Sequence, residues 1–204
     1  MDEKGTNLKL IDEIINLVDK YKKLVCKPNK VASIWKEHLE LGKSILEWSI
    51  KKYNIYFDGT SQVVKKKYIF YCELGFNIGS EQSGKRPVVI LQNDKGNNSS
   101  TTTIVAPITT HRGLKVIEQL ANDKVKVEVL NDNGKAYEKI LDYYEVPVVI
   151  ENGFKKQIIG YINLAQIRTL SKKRLDKSHV AVITEDTNMK IQRGLIKLLA
   201  FKEK

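Results

Sequence analysis

Cysteine and histidine are scarce in this chain, which carries two of the first and three of the second. Cys26 and Cys72 are too few for a disulfide framework, and cannot make a metal centre by themselves. There is no Cys/His cluster at zinc spacing and no phosphate-cradling P-loop, so nothing points to a metal or a nucleotide cofactor. A serine triad would have to draw its base from His38, His111 or His179. Long apolar runs are also missing, so no membrane span is expected. The opening MDEKGTNLKL is charged and lacks the apolar core of a signal peptide, and a cytoplasmic protein is the expectation. These gaps leave a site that works without metal or cofactor.

Positive charge is plentiful. The chain of 204 residues has 35 lysines and arginines against 24 acidic side chains, a formal net charge of +11. Such an excess favours polyanionic partners, RNA or DNA. A lysine-rich surface that only maintains solubility is the plain alternative. Hydrophobic residues make up 42% of the chain, enough for a folded core.

Apolar residues recur at helical spacing from Leu8 to Val25, with Asn7 as the expected N-cap and Pro28 ending the segment. A second helix is expected over about 30–52. Its stripe, Val31, Ile34, His38, Leu41, Ile45 and Trp48, alternates three and four apart like a coiled-coil seam. Residues 1–60 therefore read as a helical hairpin, and 61–204 as a second domain beyond the turn-rich Asp58-Gly59-Thr60-Ser61. The stripe must be buried somewhere, with His38 partly buried on it. Packing for stability, assembly of copies, or covering an active groove are all open.

The second domain reads as strands. Val64–Leu74 comes first. Gly79–Ile90, GSEQSGKRPVVI, is a glycine-bounded polar loop running into a strand that Pro87 can open but not continue. The turn formers NDKGNNSS then connect to a strand over 101–109. Antiparallel pairing of the two strands puts the end of one beside the start of the other, so Arg86 and Thr109 should be neighbours. Residues 111–144 look inserted: a short helix over 113–121, a strand over 125–129, an Asn133-Gly134 turn and a return strand over 137–143. The insertion either extends a groove or decorates the surface. Strands follow at 146–151, 157–164 and 180–184. Thr184 caps a final helix whose buried face is Ile191, Leu195 and Leu198.

Four blocks carry a resemblance. GSEQSGKRPVVI, QND at 92–94, VAPITT at 105–110 and QIRTLSKKRL at 166–175 resemble the MazF/PemK family of toxins in order and spacing. The likeness runs from Val64 to the C-terminus with one long interruption. It implies an α+β fold: an SH3-like (PemK/CcdB-like) β-barrel with a C-terminal helix, here preceded by the helical hairpin. It also implies a homodimeric endoribonuclease toxin of a type II toxin–antitoxin system, bound by a cognate antitoxin. Such a toxin cleaves single-stranded RNA through the 2′-hydroxyl beside each phosphate, leaving a cyclic phosphate and a 5′-hydroxyl.

By the same resemblance Arg86 and Thr109 are the catalytic pair. Glu81 is either the general base or a loop anchor. Ser80, Gln82, Lys85 and Gln166 are candidate RNA contacts, while Arg168 and Thr169 are read as fold support. The family usually has Gly-Asp where Lys67 and Tyr68 stand here. His111 comes from strand logic alone: two residues past Thr109, it shares that residue's face and can assist proton transfer or bind RNA. Two other readings stay open. The CcdB branch uses the same barrel to jam DNA gyrase without catalysis, and a degenerate RNA or antitoxin binder could have its site covered by the N-terminal helices.

Overall fold

The computed structural model describes residues 3–154 and 157–201. The ends of the two expected domains, residues 1–2 and 202–204, lie outside the described residues. Two compact units divide the chain, Met1–Tyr53 and Asn54–Lys204.

The first unit holds α1 (Glu3–Val25) and most of α2 (Ala32–Asp58). Helix α1 begins earlier than its apolar pattern suggests, so Asn7 lies inside it and is no cap. The helices meet where Tyr21 donates its hydroxyl proton to the Gly42 carbonyl, 2.6 Å away. A Cβ on Gly42 would come within 2.2 Å of a Val25 methyl, so only glycine allows this approach. The expected burial of the apolar stripe is only partial: Ile45 and Trp48 are half-buried, Ile14, Val18 and Leu41 are about half exposed, and His38 is exposed instead of partly buried. Two helices share only one mutual seam, and this stripe is wider than that.

The second unit is built on antiparallel strands: β1 (Tyr68–Glu73), β2 (Lys85–Ile90), β3 (Thr102–Thr110), β4 (Arg112–Gln119), β5 (Val125–Leu130), β6 (Ala136–Leu141), β7 (Glu145–Pro147), β8 (Gly160–Asn163), β9 (Arg168–Ser171) and β10 (Ala181–Val182). The main sheet runs β10-β1-β2-β3-β8-β7, with β9 also paired to β3. Strand β3 is the hub. It pairs with β2 along one edge, and on the other with β9 at its start and β8 at its end. One strand serving three partners curls the sheet into a half-barrel, the α+β class expected.

Alternation along the strands loads both faces. Ile69, Val89, Ala106 and Ile108 pack on one face with Ile191 of α4 (Glu185–Leu198). Phe70, Cys72, Val88, Ile90, Val105 and Leu170 form a second cluster on the other. Helix α4 starts as its sequence suggests, with the Thr184 hydroxyl accepting from the Thr187 amide and two acidic residues in its first turn.

Two sequence expectations are corrected. The turn-former linker holds a short helix, α3 (Asp94–Ser99), because Asn93 Oδ1 accepts from the Gly96 amide as an N-cap. Near its far end the buried ammonium of Lys172 donates to the carbonyls of Asn97 and Ser100. The helix expected over 113–121 is not formed: strand β4 runs through this stretch to Gln119. Register shifts let β4 follow β5 and complete a separate three-stranded sheet, β4-β5-β6. Its apolar side, Val125, Val127, Val129 and Leu141, packs on Tyr161 of β8.

Lys67, at a position where the resemblance leads to an expectation of glycine, has a left-handed backbone, φ 75°. Its ammonium reaches Glu151 at 3.1 Å and Glu185 at 3.4 Å. Those ion pairs accompany a backbone shape that a side chain rarely adopts.

Candidate active site

The site forms where β1, β2 and β3 come together beneath one loop. Residues 74–84 link β1 to β2. The root is closed by the Leu74 amide donating to Gly84 O (2.9 Å) and the Gly84 amide to Gly75 O (2.7 Å). Gly79 and Gly84 take positive φ, 61° and 76°, with open space where a Cβ would lie. Their requirement is therefore conformational and not steric crowding.

Strands β2 and β3 pair as Val88↔Pro107, Val89↔Ala106 and Ile90↔Val105. Continued by two residues, that register sets Arg86 opposite Thr109. Pro87, with no N–H, ends the ladder just before them. Both residues extend the face that carries Val88, Ile90 and Val105, because alternate residues share a face. Arg168 lies on that face too, paired with Val105. It was read as fold support, yet its guanidinium has no ion pair among the described residues.

Arg86 is partly exposed. Its Nε donates to the Ser83 carbonyl at 2.9 Å, and its two terminal nitrogens have no partner among the described residues. One anchored nitrogen aims the fork and leaves its other donors unspent. Thr109 is partly exposed as well, and its Oγ1 accepts from Gln82 Nε2 at 2.9 Å. Gly160, opposite Thr110, permits the close passage of β8, since a Cβ there would be 2.1 Å from the Thr109 carbonyl oxygen. No periodicity in the sequence signals that requirement.

The other expected site residues divide. Glu81 is exposed, and its carboxylate has no hydrogen bond or ion pair among the described residues, so the loop does not use it as a side-chain anchor. Gln166 is occupied with the loop: its Oε1 accepts from the Gln82 amide (3.3 Å) and its Nε2 donates to Ser80 O (3.4 Å). Asn77 Nδ2 donates to Gln82 O at 2.7 Å, a loop support the sequence did not single out. The Ser80 side chain is exposed. Lys85 faces away from Arg86 along the strand and pairs with Asp176 at 2.7 Å, a bond that raises its pKa.

His111 leaves the strand end and stacks on Tyr161, ring centroids 5.4 Å apart. Its Nε2 is buried without a hydrogen-bond partner. Burial lowers its pKa, the Lys139 charge adds to that, and Glu145 opposes it. The imidazole is therefore mostly neutral at neutral pH. Lys139, from the inserted sheet, donates to Tyr161 Oη at 3.0 Å and pairs with Glu145 at 3.3 Å. Cys72, opposite Arg86 on β1, is inert: burial pushes its thiol up to about 12, against the pull of Arg174 and Arg168.

This arrangement suits an anion. A guanidinium, a hydroxyl and a second guanidinium share one face beside a carboxylate-bearing loop, the parts needed to hold a phosphate and take a proton near it. The family described as PemK-like, MazF-like toxin of type II toxin-antitoxin system matches residues 65–199. Endoribonuclease EndoA of Bacillus subtilis (strain 168) is 35% identical over 113 residues, 55% of this chain and 75% of that protein. Endoribonuclease MazF of Staphylococcus epidermidis is 32% identical over 133 residues, 65% and 88% respectively. The crystal structure of MazF from Deinococcus radiodurans aligns over 68% of this chain and 98% of that one, with a TM-score of 0.47 and 16% identity.

Proposed function

The chain belongs to the PemK-like, MazF-like toxins of type II toxin–antitoxin systems, and on that footing we propose that it is an endoribonuclease that cuts single-stranded RNA without a metal. The observation that carries the proposal is that the β2/β3 register, continued by two residues, sets Arg86, its fork unspent, opposite Thr109. Arg86 grips the non-bridging oxygens of the scissile phosphate, and Thr109 donates its hydroxyl proton to the same group. Arg168 supplies a second cation on the same face for the RNA backbone. Glu81 accepts the 2′-hydroxyl proton; the O2′–P bond forms, the P–O5′ bond breaks, and the departing O5′ takes a proton from solvent water, giving a cyclic phosphate and a 5′-hydroxyl. Arg86 stays charged throughout, since its pKa lies far above neutrality.

The toxin works in the cytoplasm as a homodimer and is held inactive by a cognate antitoxin, whose acidic segment the basic face suits. Among the described residues, no helix is long and apolar enough to cross a membrane. The test is incubation of the purified chain with mixed-sequence single-stranded RNA in EDTA. Cleavage that disappears when the target nucleotide is 2′-deoxy is the expected result. RNA left intact, or cut equally well by Arg86→Ala, overturns the proposal.

A further inference from the structure

Gln82 has a bonding pattern unlike that of an RNA contact. Its backbone is held independently of its side chain: the N–H donates to Gln166 Oε1 and the carbonyl accepts from Asn77 Nδ2. The side-chain amide then makes a single bond, Nε2 to Thr109 Oγ1 at 2.9 Å. Its Oε1 is buried with no partner. Only one other side-chain atom among the described residues shares that condition, Nε2 of His111, two residues past Thr109 in the chain. A buried amide oxygen left unpaired costs stability, so an apolar side chain of the same size would serve the fold better. The one bond this amide makes goes to Thr109.

We propose that Gln82 is a positioning residue for Thr109 in RNA cleavage, an inference that rests on the ribonuclease reading above. A threonine hydroxyl can turn toward several acceptors, and its χ1 has few staggered choices. The Gln82 donor occupies a lone pair of Oγ1 and selects one of those choices. The hydroxyl proton is then left to donate to a phosphate oxygen. Donation to Oγ1 also polarises the O–H bond, so its grip strengthens as negative charge builds on the phosphoryl group. An interaction that strengthens in the transition state appears in kcat and not in KM.

The experiment is a double-mutant cycle on the full chain. The substrate is an oligonucleotide spanning a cut site mapped on mixed-sequence RNA. Gln82→Leu is expected to lower kcat about 10- to 100-fold, with KM within about twofold. In a Thr109→Val background the same change is expected to cost nothing further, since its target hydroxyl is gone. The urea midpoint should hold, because the loop's backbone bonds to Gln166 and Asn77 remain. Gln82→Glu keeps the length and removes the donor. Its carboxylate would accept the Thr109 proton and turn it from the phosphate, so its rate deficit should deepen as pH rises through carboxylate ionisation.

A raised KM with unchanged kcat, or an equal loss with and without Thr109, makes Gln82 an RNA contact and overturns the inference. A Gln82→Glu rate equal to that of the unsubstituted chain from pH 5 to 8 does the same, and decides the matter should the leucine variant fail to fold. An unsubstituted chain that leaves RNA intact overturns the ribonuclease reading and this inference together. A normal rate indifferent to Gln82 overturns only the inference.

Discussion

Strand β3 has a basic side chain near each end, and the two are used in opposite ways. By its first residues Lys172 is 4% exposed, its ammonium bonded to the carbonyls of Asn97 and Ser100 where α3 ends. There the cation answers the unpaired carbonyls and negative pole of a helix C-terminus. By its last residues Arg86 is partly exposed, with one nitrogen tied to Ser83 and the rest of its fork unspent. A buried cation with its bonds made inside the protein holds the fold. A half-exposed cation with one bond made is aimed but unspent, and that is what an anion site requires. Each side chain carries one positive charge, and the bonding account separates them.

The comparison can be broken most sharply at Arg86. Arg86→Ala should lower single-turnover RNA cleavage about 1000-fold, the scale of a lost transition-state donor, with the urea midpoint nearly unchanged. Lys172→Met should do the reverse. Buried carbonyls lose their donor at a cost of about 3 kcal/mol, read from urea unfolding, while the rate per folded molecule stays the same. If Lys172→Met abolishes cleavage in folded protein, the contrast between the two ends fails. Thr109→Val, near the Arg86 end, should cost about 30-fold in kcat, the worth of one hydrogen bond to a charged group.

The smallest effect belongs to His111. Its native pKa is lowered by burial, so the unfolded chain binds the proton first as pH falls. The stability this group contributes is present above the unfolded value, near 6.5, and is lost as pH drops toward the lower native one. His111→Phe should flatten the dependence of the urea midpoint on pH between 5 and 8. An unchanged slope would show that the stacked ring titrates as it does in the unfolded chain.

Much of the second unit was legible because local rules decide it. Alternation marked most of the strands, Thr184 with its acidic neighbours marked α4, and strand order alone put Arg86 beside Thr109. What failed had a competing local rule. Asn-rich linkers read as turns, but asparagine is also a good helix cap, and α3 follows from Asn93. The stretch containing Gly113 read as helix until a pairing partner, β5, gave it a ladder. Around the site, the sequence did not show that the Gln166 amide bonds the loop at Gln82 and Ser80.

From the residues alone came the basic balance, most strands and the final helix, since periodicity and turn chemistry are properties of neighbours along the chain; the α+β class and the catalytic pair came from the resemblance of four blocks to a known family. Which donors are already spent depends on atoms more than eighty residues apart, as with Gln82 and Gln166, or on a backbone passing where Gly160 lacks a Cβ. Hydrogen bonds and close contacts of that kind exist only once the sheet has curled, and it was the folded chain that left Arg86 open, paired Lys85 and turned Gln82 toward Thr109.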